Sequence, residues 1–202
     1  MKSYPAIALI EFSSIATGIL AGDAMVKRAP ISMLKAGTVH QGKYLVLVGG
    51  SVAAVEEAFA AGLQCGGEDI VDRVLLPDVH PQVLESVLGV RRPCSAEALG
   101  VIETCTVAAT IRCADAGIKG AEVDIVEIRL ADDLGGKAIA LFTGTVESVE
   151  SAVSIARESI TKPDVWLRDI IVPRLHEELA VHLQRGTRFG GAEAQMLPGA
   201  EV

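Results

Sequence analysis

The first apolar run, Ala6–Phe12, is interrupted only by Glu11 and reads as a strand. The pattern then changes. Ile15, Ile19 and Val26 recur at helical spacing, Ser13 or Ser14 can cap the start, and Pro30 stops the segment near Ala29. Gly18 and Gly22 lower its helix propensity but let it lie close to a sheet. Residues 31–39 and 44–48 read as strands around the loop His40-Gln41-Gly42-Lys43. Gly49-Gly50 leads into a second helix from Val52 to about Leu63, which Gly66-Gly67 breaks. Residues 70–76 form a fourth strand that Pro77 stops, and 81–87 form a short helix. The order β-α-β-β-α-β with a trailing helix predicts a mixed α/β (α+β) unit of the ferredoxin-like, split-βαβ kind.

The same pattern then runs a second time. Ile10-Glu11 aligns with Ile102-Glu103, a spacing of 92 residues, and Asp23, Lys27 and Ala29 align with Asp115, Lys119 and Ala121. The spacing becomes 94 at Gly42-Lys43 and Gly136-Lys137, and 96 at Pro77-x-x-His80 and Pro173-x-x-His176. It grows only inside loops, which tolerate insertion where elements do not. The chain therefore reads as a tandem duplication: residues 1–93, residues 94–185, and a Gly-rich tail, 186–202, expected to be mobile.

Composition narrows the function. Half the residues are apolar but only 3% are aromatic, which suits thin, closely packed layers more than a large ligand cavity. The net charge of −8 and the absence of any Lys/Arg run argue against nucleic acid. The N-terminal apolar run is too short to span a membrane, so the chain is read as cytosolic and without a membrane partner. Cys65, Cys94, Cys105 and Cys113 form no Cys-x-x-Cys pair and read as reduced, mostly buried thiols.

No catalytic motif is found, and no catalytic residue or enzyme activity is assigned. His80 and His176 hold the same place in each copy, which predicts a shared structural role at a helix start. Glu11 and Glu103 also repeat and are read as strand-end or interface hydrogen-bonding groups. His40 lies in a loop between strands, and its counterpart is Asp132, followed by Asp133. If such loops converge on a symmetry axis, imidazoles can gather there to bind a metal or titrate, and the carboxylates form a ring that repels anions.

Ala21-Gly22-Asp23-Ala24-Met25-Val26-Lys27, the Gly42-Lys43 hairpin and Gly50-x-Val52-x-x-Val55-Glu56-x-Ala58 resemble the bacterial microcompartment (BMC) shell domain. The second copy fits through Cys113-Ala114-Asp115-Ala116, Lys119 and Gly144-x-Val146-x-x-Val149-Glu150-x-Ala152. Two such domains resemble the tandem, trimer-forming class of pseudohexamers. Because each copy begins with its own first strand, the chain is similar to the unpermuted single-layer branch of the propanediol-utilisation T-type shell proteins. The resemblance implies a structural protein of the shell, in the bacterial cytoplasm. Its implied partners are two further copies of itself, other shell proteins in hexagonal sheets, and the enzymes enclosed. It implies pore-lining roles for His40, Gln41, Gly42, Asp132, Asp133, Leu134 and Gly135. It places Lys27, Lys119, Asp78 and Arg174 at ring edges, with Asp78 departing from an edge Arg. Some relatives hold an iron–sulfur cluster through a Cys where this chain has His40, so no such cluster is expected; a divalent ion on three His40 side chains is the metal candidate that remains. The alternatives are a ferredoxin-like ligand-binding or regulatory oligomer with sites between subunits, and an enzyme using His40 and Asp132 across an interface.

Overall fold

The computed structural model describes residues 5–94 and 97–188. The first copy comprises β1 (Ala6–Phe12), α1 (Ile15–Arg28), β2 (Met33–Val39), β3 (Lys43–Gly50), α2 (Val52–Gly66), β4 (Ile70–Leu76) and α3 (Pro81–Val87). The second comprises β5 (Ala98–Thr104), α4 (Val107–Gly120), β6 (Asp124–Leu130), β7 (Ala138–Gly144), α5 (Val146–Glu158), β8 (Trp166–Pro173) and α6 (Glu177–Arg185). Each forms a four-stranded antiparallel sheet, ordered β2-β3-β1-β4 and β6-β7-β5-β8. The duplicated ferredoxin-like fold is thus present, and the last 14 residues, most of the expected tail, lie outside the described residues.

Local chemistry repeats along with topology. Ser14 and Thr106 cap α1 and α4 by accepting from Thr17 N and Ala109 N, and Ser51 and Thr145 cap α2 and α5 the same way. The β1–β4 and β5–β8 pairings carry matching register shifts, at Glu11/Phe12 and Glu103/Thr104. Two features differ. β6 has a bulge at Val126 that β2 lacks. The hairpin between β6 and β7 spans residues 131–137, whereas β2 and β3 are joined by His40–Gly42 alone.

β1 is buried along its whole length because both its faces are covered. Ala6, Ala8, Ile10 and Phe12 meet α1 and α2 through Ala21, Met25, Val55 and Ala58. Ile7 and Leu9 face the opposite core, which runs on into the second copy. Small residues set the spacing: a Cβ on Gly18 would stand 2.6 Å from Tyr44 Cδ1 and 2.8 Å from Tyr44 Cβ. None of the four cysteines is in a disulfide; Cys94 and Cys113 are buried, Cys65 and Cys105 half-buried, and burial pushes the Cys113 thiol up to about 11.

Gly18 and Gly22 separate propensity from packing. A Cβ on Gly22 would make an ordinary 3.5 Å contact with Val46 Cγ2. Gly22→Ala should therefore gain up to about 1 kcal/mol and raise the melting temperature. Gly18→Ala should lower it, because Tyr44 must be displaced; thermal unfolding of the two variants checks this.

Candidate functional site

The first candidate surface is the end of the sheets where the hairpins turn. At the first tip Gln41 has φ 67° and Gly42 φ 71°; at the second Asp133, Gly135 and Gly136 also have positive φ. The tips touch. Asp133 N donates to His40 Nδ1 at 2.9 Å, and Asp133 Oδ1 lies 3.8 Å from His40 Nε2. A Cβ on Gly136 would stand 2.9 Å from Gln41 Oε1, so Gln41 packs across the second tip. His40, Gln41, Gly42, Asp132, Asp133 and Gly135 are exposed there and Leu134 is half-buried. Arg188 approaches Asp133 at 3.4 Å, and Arg129 donates to Asp132 O at 3.2 Å.

This geometry bears on the metal candidate. His40 Nδ1 already accepts a backbone hydrogen bond, so the neutral ring carries its proton on Nε2. Ligation through Nε2 would move that proton to Nδ1, facing the Asp133 N–H. The ring as held fits a loop-bracing role and does not fit a ligand. Among the described residues, no group of three or more His, Cys, Asp or Glu side chains is arranged to hold a metal ion.

The second candidate surface is the seam between the copies. α4 lies against β4 and β1, and α3 lies against β6. Val107 and Ile111 on α4 are fully buried there, as are Val74 and Val83 on the first copy's side. Backbone groups are matched as well: Val107 N donates to Glu11 Oε2 at 2.9 Å, His80 N to Asp115 Oδ1 at 2.8 Å, and Ile125 N to Gln82 Oε1 at 2.9 Å. Lys119 Nζ donates to Asp78 O and also pairs with Asp115. Glu11 is fully buried with Lys43 Nζ at 2.8 Å. Burial pushes its carboxyl above the usual range, while Lys43 and the Val107 N–H hold that rise back.

The equivalent surfaces at the chain's two free ends are bare. Ile15 and Ile19, at the positions of Val107 and Ile111, are 40% and 55% exposed. Ile170 and Leu179, at the positions of Val74 and Val83, are 44% and 48% exposed. Alignment of the copies leaves this undetected, because the apolar pattern is the same whether a face is covered or bare. Lys27 pairs with Asp23 at 2.6 Å, as Lys119 does with Asp115, and is the more exposed of the two. The expected shared role of the two histidines is only half kept. His80 caps α3 by accepting from Gln82 N at 3.3 Å; His176 makes no side-chain cap and contacts Glu178 instead.

The BMC domain family profile matches residues 6–79 and 98–175. The chain is 37% identical over 174 residues to the bacterial microcompartment shell protein PduT of Citrobacter freundii, covering 86% of this chain and 95% of that one. It is 25% identical to the carboxysome assembly protein CcmO of a Synechocystis strain, over 86% of this chain and 63% of the relative. Among solved structures, a microcompartment protein of Desulfitobacterium hafniense superposes with TM-score 0.77 at 39% identity, covering 88% and 98% of the two chains. A fused permuted hexameric shell protein of the RMM microcompartment superposes at 0.57 with 21% identity, over 79% and 85%, and shares the fold.

If His40 braces the second tip, His40→Ala removes an acceptor worth about 1 kcal/mol, so exchange of the Asp133 amide should rise about five-fold while the global melt hardly moves. Residue-resolved hydrogen–deuterium exchange reads this out.

Proposed function

The chain belongs to the BMC domain family, and from that premise we propose that it is a non-catalytic shell tile that closes into a trimeric pseudohexamer around a narrow pore. Its relatives are shell and assembly proteins. The observation that carries the reading is the seam. A head-to-tail contact made once within the chain leaves its two halves open at the ends, and repetition between chains makes a ring where the rotation closes. Ile170 and Leu179 of one chain then cover Ile15 and Ile19 of the next. Glu103, paired with Lys137 at 2.8 Å, takes the role toward Ile15 N that Glu11 takes toward Val107 N.

In such a ring the touching hairpin tips face the axis. The pore is lined by His40, Gln41 and Gly42 from one copy and Asp132, Asp133, Leu134 and Gly135 from the other. Each chain contributes two carboxylates, and Arg188 offsets part of that charge. The opening favours cations and neutral polar solutes over anions. The function does not run through a metal at His40. Further partners are other shell proteins across the outer edges, and the enzymes enclosed.

Ile19→Asp or Ile170→Asp should give folded monomers, seen by light scattering, with the monomer melt nearly unchanged. Ile111→Asp places the same charge inside the chain and should unfold it, at a cost of several kcal/mol. Trimers that survive both of the first changes would refute ring closure through this face. In intact shells, Asp132→Lys with Asp133→Lys should speed entry of an anionic reporter and slow a cationic one; unchanged rates would remove the tips from the pore.

A further inference from the structure

The two kinds of seam end differently at the rim. Strand register sets the direction: Phe12 pairs with Tyr44 beside the hairpin tips, and Ile7 pairs with Leu76 at the far end. Seven-residue strands put these ends about 20 Å apart. Asp78 follows β4, Arg174 follows β8, and α1 and α4 end at Lys27-Arg28 and Lys119-Gly120, so all of these lie away from the tips. The outer end of the seam within the chain carries Asp78 and Glu122, both exposed, beside Lys119 and Asp115, which pair with each other. The matching positions for the seam between chains are Arg174, exposed, and Pro30, beside the paired Lys27 and Asp23. Arg28 adds a charge there that Glu57 answers. Glu178 takes the place of Gln82, which lies within the seam against β6.

Resting on the trimer reading, we propose that these unlike seam ends make a second trimer in the same orientation the preferred neighbour in a sheet. A three-fold disc has six seam ends around its rim, alternating in kind, so diametrically opposite ends always differ. When neighbours are related by translation alone, opposite ends meet. Each contact then sets the Arg174 of one trimer against the Asp78 and Glu122 of the next. Rotating one disc by 60° sets like against like: at alternate contacts Asp78 and Glu122 meet their own copies, and at the others Arg174 meets Arg174. The Asp78/Arg174 difference therefore selects the orientation of a tile as well as its attachment.

The test uses the full chain, with the trimer peak followed by light scattering and sheets followed by negative-stain microscopy. Wild type should form sheets whose projection averages show every trimer in one orientation. Asp78→Arg with Glu122→Arg should keep the trimer and lose the sheets, by at least ten-fold in the concentration needed. Adding Arg174→Asp, a residue type that tolerates the φ of 53° found there, should restore them. The proposal is overturned by sheets that persist in the double variant, by a triple variant that stays dispersed, by wild-type trimers that form no sheet, or by neighbours rotated by 60°. Wild type that shows no trimer peak instead overturns the ring reading beneath it.

Discussion

A sheet edge that buries a helix from the next copy of the same fold always leaves one such edge and one such helix uncovered. That constraint organises this molecule. Inside the chain, β4 and α3 receive α4, and the contact has the character of a core, with Val107 and Ile111 fully enclosed. The buried Glu11 fixes its register. One carboxylate meets both the Lys43 ammonium of its own sheet and the first backbone N–H of the incoming helix. A charge so placed costs desolvation, which Lys43 and the Val107 N–H offset in part. At the two ends of the chain the same surfaces face water, and their exposed apolar area is what the proposed ring would cover.

Much of this was legible in the sequence. The duplication could be aligned because insertions fell only in loops, and the cap of the first helix was narrowed to Ser13 or Ser14, of which Ser14 caps it. β1 was legible as a strand from its apolar run, while its burial on both faces shows only in the structure. The covered and bare helices could not be told apart, since Ile15 and Val107 satisfy the same pattern and differ only in what lies across from them. The contact between His40 and Asp133 was also out of reach, because it joins loops 93 residues apart through a backbone N–H that no side-chain pattern encodes. The repeated pairing of Glu11 with Lys43 and of Glu103 with Lys137 was the available signal for the buried charge, visible once the copies are aligned.

Joining two copies covalently changes what selection can act on. In a ring of identical single domains, every seam changes together. Here the internal seam forms within one chain at high effective concentration, so it can carry polar and charged groups. In the ring proposed above, the seam between chains has to recruit its partner from solution, with Ile15, Ile19, Ile170 and Leu179 at the positions that are covered within the chain. Asp78 and Arg174, or Gln82 and Glu178, can diverge because each belongs to only one kind of seam.

The unequal hairpins carry this one step further. His40–Gly42 closes its turn with three residues, while 131–137 uses seven and has Gln41 packed across it. In the ring proposed above, short and long turns alternate around the axis and give the opening a triangular outline. Either set can then be lengthened or recharged by altering one loop of the gene while the other keeps its shape.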